Sequence, residues 1–361
     1  MPHRKLLVLS VGPYSIVLFF VIAFVIIVSP SADAITITEY PVPTAGSSLR
    51  AITSGPDGNL WFAEEAGNKI GKITTAGIIT EFDVPTPNSA PHGITSGSDG
   101  NLWFTESNGN NIGKITTAGV ITEYSISTPS IPYGITSGSD SNLWFAHGAD
   151  YIGKIIAPWT VTLYAVPTAN SRPFYLTSGP DGNLWFTERD SNKIGRITTA
   201  GIVSEFDIPT PNSGPHGITS GPDGNLWFAE ADGNKIGKIT TAGAITEYAI
   251  PTAGSFPHGI TSGSDGNLWF TEQNGHKVGR ISPAGVITEY ATPTVISGPD
   301  SITYGSDGNL WFTEALGNKI GKIADIQPLP ASVGYNVHWL IGTFLSLLLV
   351  GGSLLRRKKR Q

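Results

Sequence analysis

Apolar and polar positions along this chain fall into short alternating stretches closed by turn residues, the period-two signature of strands with one buried face. Residues 92–124 show the unit. His92-Gly93-Ile94-Thr95-Ser96 reads as an inner strand, and Asp99-Gly100-Asn101 as a tight turn in which glycine accepts positive φ. Leu102 to Glu106 forms a second strand, Ile112 to Thr116 a third and Val120 to Tyr124 a fourth, with turns at Asn108-Gly109-Asn110 and Thr117-Ala118-Gly119.

The unit recurs. Ser-Gly-Pro-Asp-Gly-Asn-Leu-Trp-Phe-Ala-Glu at residues 54–64 has near-copies whose tryptophans are Trp61, Trp103, Trp144, Trp185, Trp227, Trp269 and Trp311, spaced by 41 or 42 residues. That period belongs to four-stranded propeller blades. The fourth-strand pattern ends at Tyr40, Phe82, Tyr124, Tyr164, Phe206, Tyr248 and Tyr290, so its first copy precedes every tryptophan, while the last repeat, residues 301–324, lacks one. An all-β, seven-bladed β-propeller over residues 35–325 is therefore expected, with residues 35–40 completing the seventh blade and clasping the ring. The repeated tryptophans are expected to pack between blades. Trp159, off the repeat, is expected to cover a turn.

Both ends depart from the pattern. Arg4 and Lys5, an apolar stretch at residues 16–28 and Ser31-Ala32-Asp33-Ala34 follow the order of a signal peptide, here residues 1–34, cleaved after Ala34. An uncleaved anchor reaching back past Pro13 to Leu6 is the alternative. Residues 326–338 read as a linker and 339–355 as a transmembrane helix, with Trp339 at the interface and a basic tail, residues 356–361, on the cytoplasmic side. The propeller is then exported and held at the cell surface in the plasma membrane. Residues 329–334 resemble the Leu-Pro-x-Thr-Gly sortase signal, but Ser332 and Val333 break it, which leaves a plain membrane anchor as the expectation.

The 361 residues include no cysteine, which excludes disulfides and thiol catalysis. Seven of the 22 basic residues lie in the two ends, so the repeat region is more acidic than the net charge of −6. An acidic ectodomain argues against nucleic acid as a partner. A monomer is expected.

In an antiparallel blade the start of the first strand and the end of the second lie at one end, so both positions are expected to meet around the central channel. The first is occupied by Arg50, His92, Tyr133, Phe174, His216, His258 and Asp300, and the second by Glu64, Glu106, His147, Glu188, Glu230, Glu272 and Glu314. The glutamates, present in six blades, read as repeat consensus, pairing with Lys69, Lys193, Lys235, Lys277 or Lys319 or bonding the following loop. The first position varies between blades, and three of its residues are histidines, able to act as bases near neutral pH.

Pro-His-Gly-Ile-Thr, Asp-Gly-Asn-Leu-Trp-Phe-Thr-Glu, Asn-Lys-Ile-Gly-Lys-Ile-Thr-Thr-Ala-Gly and Ile-Thr-Glu-Tyr-x-Ile-Pro-Thr together resemble the virginiamycin B lyase (streptogramin lyase) family over residues 35 to 323. The resemblance implies a magnesium-dependent carbon–oxygen lyase that linearises a cyclic depsipeptide by elimination at its ester. A base removes a proton α to a carbonyl and a cation stabilises the enolate-like charge. It assigns His258 as the base and His216 as a substrate contact. The metal-binding glutamate two residues before the base is Phe256 here, and the second falls on Glu272 or Gln273, with Glu230 as a neighbouring carboxylate. The competing reading is a non-catalytic surface propeller that binds a peptide, glycan or other extracellular ligand.

Overall fold

The computed structural model describes residues 35–128, 131–156, 159–324 and 326. Residues 1–34 and 327–361, which carry the expected signal peptide, most of the linker, the membrane span and the basic tail, lie outside the described residues. Among the described residues no helix is long and apolar enough to cross a membrane.

Seven four-stranded antiparallel sheets follow one another along the chain. The second shows the expected elements shifted by a residue in places: Pro91–Ser96, Leu102–Glu106, Asn111–Ile115 and Ile121–Ser125. First strands of successive sheets pack side by side, and that of the seventh, Pro299–Tyr304, meets that of the first, Leu49–Ser54, so the ring is closed.

Closure uses the N-terminal strand. Thr36–Pro41 pairs antiparallel with Lys319–Ala324 and supplies the missing fourth strand. Side chains repeat the clasp: Glu39 accepts hydrogen bonds from Thr294 N at 2.8 Å and from Lys319 Nζ at 2.7 Å. The same threonine-to-glutamate bond joins Thr210 to Glu247 and Thr252 to Glu289. The seventh blade is thus closed by the bond that five of the others use, the third having Leu163 at the glutamate position.

The core lies between blades. Trp61 packs with Ala51 and Ala63 of its own blade and with Ile94, Leu102 and Phe104 of the next, while Trp311 packs with Leu49 and Phe62 across the closure. Each buried indole N–H needs a partner, and the turn aspartate provides it, as Asp265 does for Trp269 at 3.2 Å. Trp159 stacks on Tyr124 with ring centroids 4.3 Å apart, widening the contact between the second and third blades.

Candidate functional site

The first strand of each blade carries a register shift that places one residue at the inner wall of the ring. In the sixth blade the shift falls between Pro257 and Ile260, leaving His258 and Gly259 out of the regular ladder, and in the fifth between Pro215 and Ile218, around His216. Gly259 is required by the neighbouring strand, because a Cβ there would lie 2.8 Å from the Asp300 carbonyl oxygen. Second-strand threonines fix these segments from outside. Thr271 Oγ1 accepts the Gly259 N–H at 2.8 Å and donates to the Asp300 carbonyl at 2.6 Å, and Thr187 donates to the His216 carbonyl at 2.8 Å. Backbone contacts between blades thereby aim the variable side chains.

Those side chains surround a cavity of about 230 Å³ lined by Arg50, Glu65, His92, Tyr133, Arg172, Phe174, Arg189, His216 and His258. One wall is a chain of charges. Arg50 is paired with Glu65 and lies 3.3 Å from Asp300 Oδ2, and the same oxygen is 3.3 Å from His258 Nδ1 and accepts a hydrogen bond from Gln273 at 3.0 Å. Asp300 is fully buried. Burial alone would raise its carboxyl, but the His258 imidazole and then the Arg50 guanidinium outweigh this and hold it down at about 2. A permanent carboxylate at Nδ1 fixes the proton there and leaves Nε2 of His258 as the basic nitrogen.

The other walls are aromatic and cationic. His216 lies against His258 with ring centroids 3.4 Å apart and edge-on to Phe174 at 4.4 Å. Burial, with His258 and Arg189 nearby, keeps His216 well below the ordinary imidazole value, and burial followed by the Arg50 charge takes His92 down to about 3. Both rings are therefore neutral. Arg172 lies over Tyr133 and Phe174, and Arg189 over Phe174, at 5.3 to 5.6 Å.

The second-strand glutamates do not join this cavity. Glu272 is fully buried with its carboxylate beneath the turn at Gly275, where a Cβ would lie 2.9 Å from Oε2. Nearby Ser255 donates its hydroxyl to Asn234 instead, and among the described residues neither Glu272 oxygen has a hydrogen-bond partner. Burial, reinforced by the Glu289 carboxylate, raises Glu272 to about 8. Glu64, Glu230 and Glu314 behave alike. The lysines opposite them turn to the fourth strand, Lys69 and Lys193 to Asp83 and Asp207, and Lys235, Lys277 and Lys319 to Glu247, Glu289 and Glu39. Among the described residues only Glu188, bonded by Ser191 at 2.7 Å, and Glu106, bonded by Asn111 at 3.2 Å, find side-chain hydrogen-bond partners in or just after the following loop. The expectation that both strand-end positions meet at the channel is corrected: the first-strand set does, whereas alternation turns the glutamates into the blade.

Comparison with known proteins matches residues 28–131 and 127–328 to the model of the virginiamycin B lyase family. The chain belongs to the virginiamycin B lyase family. Among solved structures, a streptogramin B lyase is 44% identical over 80% of this chain and 97% of its own, with a TM-score of 0.77. Virginiamycin B lyase from Staphylococcus aureus is 42% identical over 80% and 99%, also at 0.77. A catalytically inactive histidine-to-alanine variant of that enzyme, solved with quinupristin, is 41% identical at the same coverage and TM-score. A search of curated proteins finds no match.

Of the residues singled out by the lyase family pattern, His216 and His258 come together and Glu272 lies apart from them. Phe256 has its ring 6.1 Å from that of His258. Gln273, the other position for the second ligand, is an amide bonded to Asp300. Among the described residues no three His, Asp, Glu or Cys side chains gather as a metal site. A hard divalent cation needs several oxygen donors, usually carboxylates, and the donors around His258 do not supply them. The residues present therefore do not fit the magnesium of the family.

Sequence reasoning passed over Glu65, Arg172 and Arg189. Two positions carry them: the residue after the second-strand glutamate and the residue two before the first-strand position. Both vary from blade to blade, reading Glu65, Ser107, Gly148, Arg189, Ala231, Gln273, Ala315 and Ser48, Ala90, Ile131, Arg172, Gly214, Phe256, Gly298. That variation, against a glutamate constant in six blades, was the available signal.

Proposed function

We propose that this protein linearises a cyclic depsipeptide of the streptogramin B type by elimination at its ester bond, with His258 as the base. The observation that carries the reading is the buried Asp300 carboxylate 3.3 Å from His258 Nδ1 in a residue that lines the cavity. Nε2 takes the proton from the carbon next to a carbonyl, a carbon–carbon double bond forms, and the β-carbon–oxygen bond breaks, both electrons leaving with the carboxylate. No water is added, so product and substrate have equal mass. Neutral His216, packed against the base, presents a polar edge to the substrate without competing for the proton.

The relative solved with quinupristin is inactivated by replacing one histidine, which supports a histidine-dependent reaction on this scaffold. The test is His258→Ala assayed beside the parent chain: binding retained and ring opening lost supports the base, and full activity rules it out.

A binding-only propeller is the second reading, favoured by Phe256 where the family has a metal ligand. We further propose, from the order of charged and apolar residues at the two ends, that the propeller is exported and tethered by residues 339–355. Protease protection in intact cells tests this, since a propeller that stays inaccessible until lysis is not outside.

A further inference from the structure

The cavity is electrically lopsided. On the side of His258, the Arg50 charge is compensated by Glu65 and by buried Asp300. On the fourth blade, two blades from His258 and three from Arg50 around the ring, stand two guanidiniums. Arg189 makes no salt bridge among the described residues and lies 5.3 Å from the Phe174 ring centroid. Arg172 donates to the Tyr133 hydroxyl at 3.3 Å, and its acidic neighbour, Asp190 at 3.6 Å, is half exposed to solvent. Arg50, Glu65 and Asp300 together carry one net negative charge, so the two cations face the cavity from a different blade than its carboxylates, on a chain whose net charge is negative.

We propose that Arg172 and Arg189 form a carboxylate site that receives the leaving group of the elimination. The inference rests on the reading of this cavity as the substrate site and deepens it. Breaking the β-carbon–oxygen bond of an ester turns a neutral acyl oxygen into half of a carboxylate, and guanidinium groups bind carboxylates through paired N–H donors. A site that meets the carboxylate only as it forms favours bond breaking over binding of the intact ester. Positive charge is thereby supplied at the leaving oxygen by this chain's own side chains.

The test uses a matched pair of product mimics, N-acetylphenylalanine and its primary amide, titrated calorimetrically into the full-length chain at low salt. The acid should bind about tenfold or more tightly than the amide, and the preference should weaken with salt. Replacing both arginines, Arg172→Met with Arg189→Met, should abolish the preference while the thermal unfolding midpoint stays near that of the parent. His258→Ala should keep it. Equal binding of acid and amide, no binding of either, or a preference that survives the double replacement would overturn the proposal. If the acid is preferred and lost with the arginines while no depsipeptide is opened, the lyase reading fails and the carboxylate site stands.

Discussion

Asp300 Oδ2 lies 3.3 Å from His258 Nδ1, and the carboxylate is wholly buried at the junction of the sixth and seventh blades. Its backbone carbonyl is held at 2.6 Å by Thr271, so the acid that orients the base is itself positioned by the base's own blade. Replacing Asp300 by asparagine preserves size but lets the imidazole take the other tautomer. Asp300→Asn should lower the ring-opening rate by about a hundredfold or more with little change in KM. Steady-state kinetics of the two proteins checks this.

Thr271 tests the positioning separately. Thr271→Val removes both the bond to Gly259 N and the donation to the Asp300 carbonyl, leaving a half-buried N–H and a buried carbonyl without this partner. A loss of about 1 to 3 kcal/mol in stability is expected. Urea unfolding measures it, and a fall in kcat larger than that of an equally destabilising change elsewhere would mark displacement of the Asp300–His258 pair.

Buried glutamates give the protein an unusual dependence on pH. The folded-state value of Glu272 is raised from 4.5 to about 8, so between those values the folded chain holds a proton that the unfolded chain has lost. Stability contributed by Glu272 is present below pH 4.5 and declines as pH rises toward 8. Glu272→Gln should therefore change little at pH 4.5 and stabilise by about 1 kcal/mol or more at pH 9. Thermal unfolding across this range reads the sign, and a uniform loss at both ends would contradict it.

Ring closure makes a further prediction. Glu39 holds Thr294 and Lys319 from a strand that begins the described fold. Deleting residues 35–41 exposes the edge of Lys319–Ala324 and opens the seventh blade, so the truncated chain should aggregate or pair through that edge. Size-exclusion chromatography with light scattering distinguishes this from an intact monomeric ring.

The blades were legible because each was written in local chemistry: Asp-Gly-Asn for the turn, or Asp-Ser-Asn in the third blade, alternating residues for the strands and one tryptophan for the contact with the next blade. Even the closing strand at residues 36–41 followed from counting fourth strands. The site was legible only in part. The histidines stood out by residue type, but the contact of His258 with Asp300 comes from packing across blades and has no local sign. The glutamates misled because strand alternation turns Glu272, paired with Pro257, away from the channel while Gln273, one residue on, bonds Asp300. Arg172 and Arg189 lie 17 residues apart in sequence and join over Phe174 only in the fold.

The central claim, elimination by His258 at the ester of a cyclic depsipeptide, is tested most directly by chromatography with mass detection. The full-length chain is incubated with a type B streptogramin, with and without a metal chelator, beside His258→Ala. The account predicts a new species of unchanged mass from the parent chain, absent with His258→Ala. A product heavier by one water, or no product at high protein concentration, would contradict it.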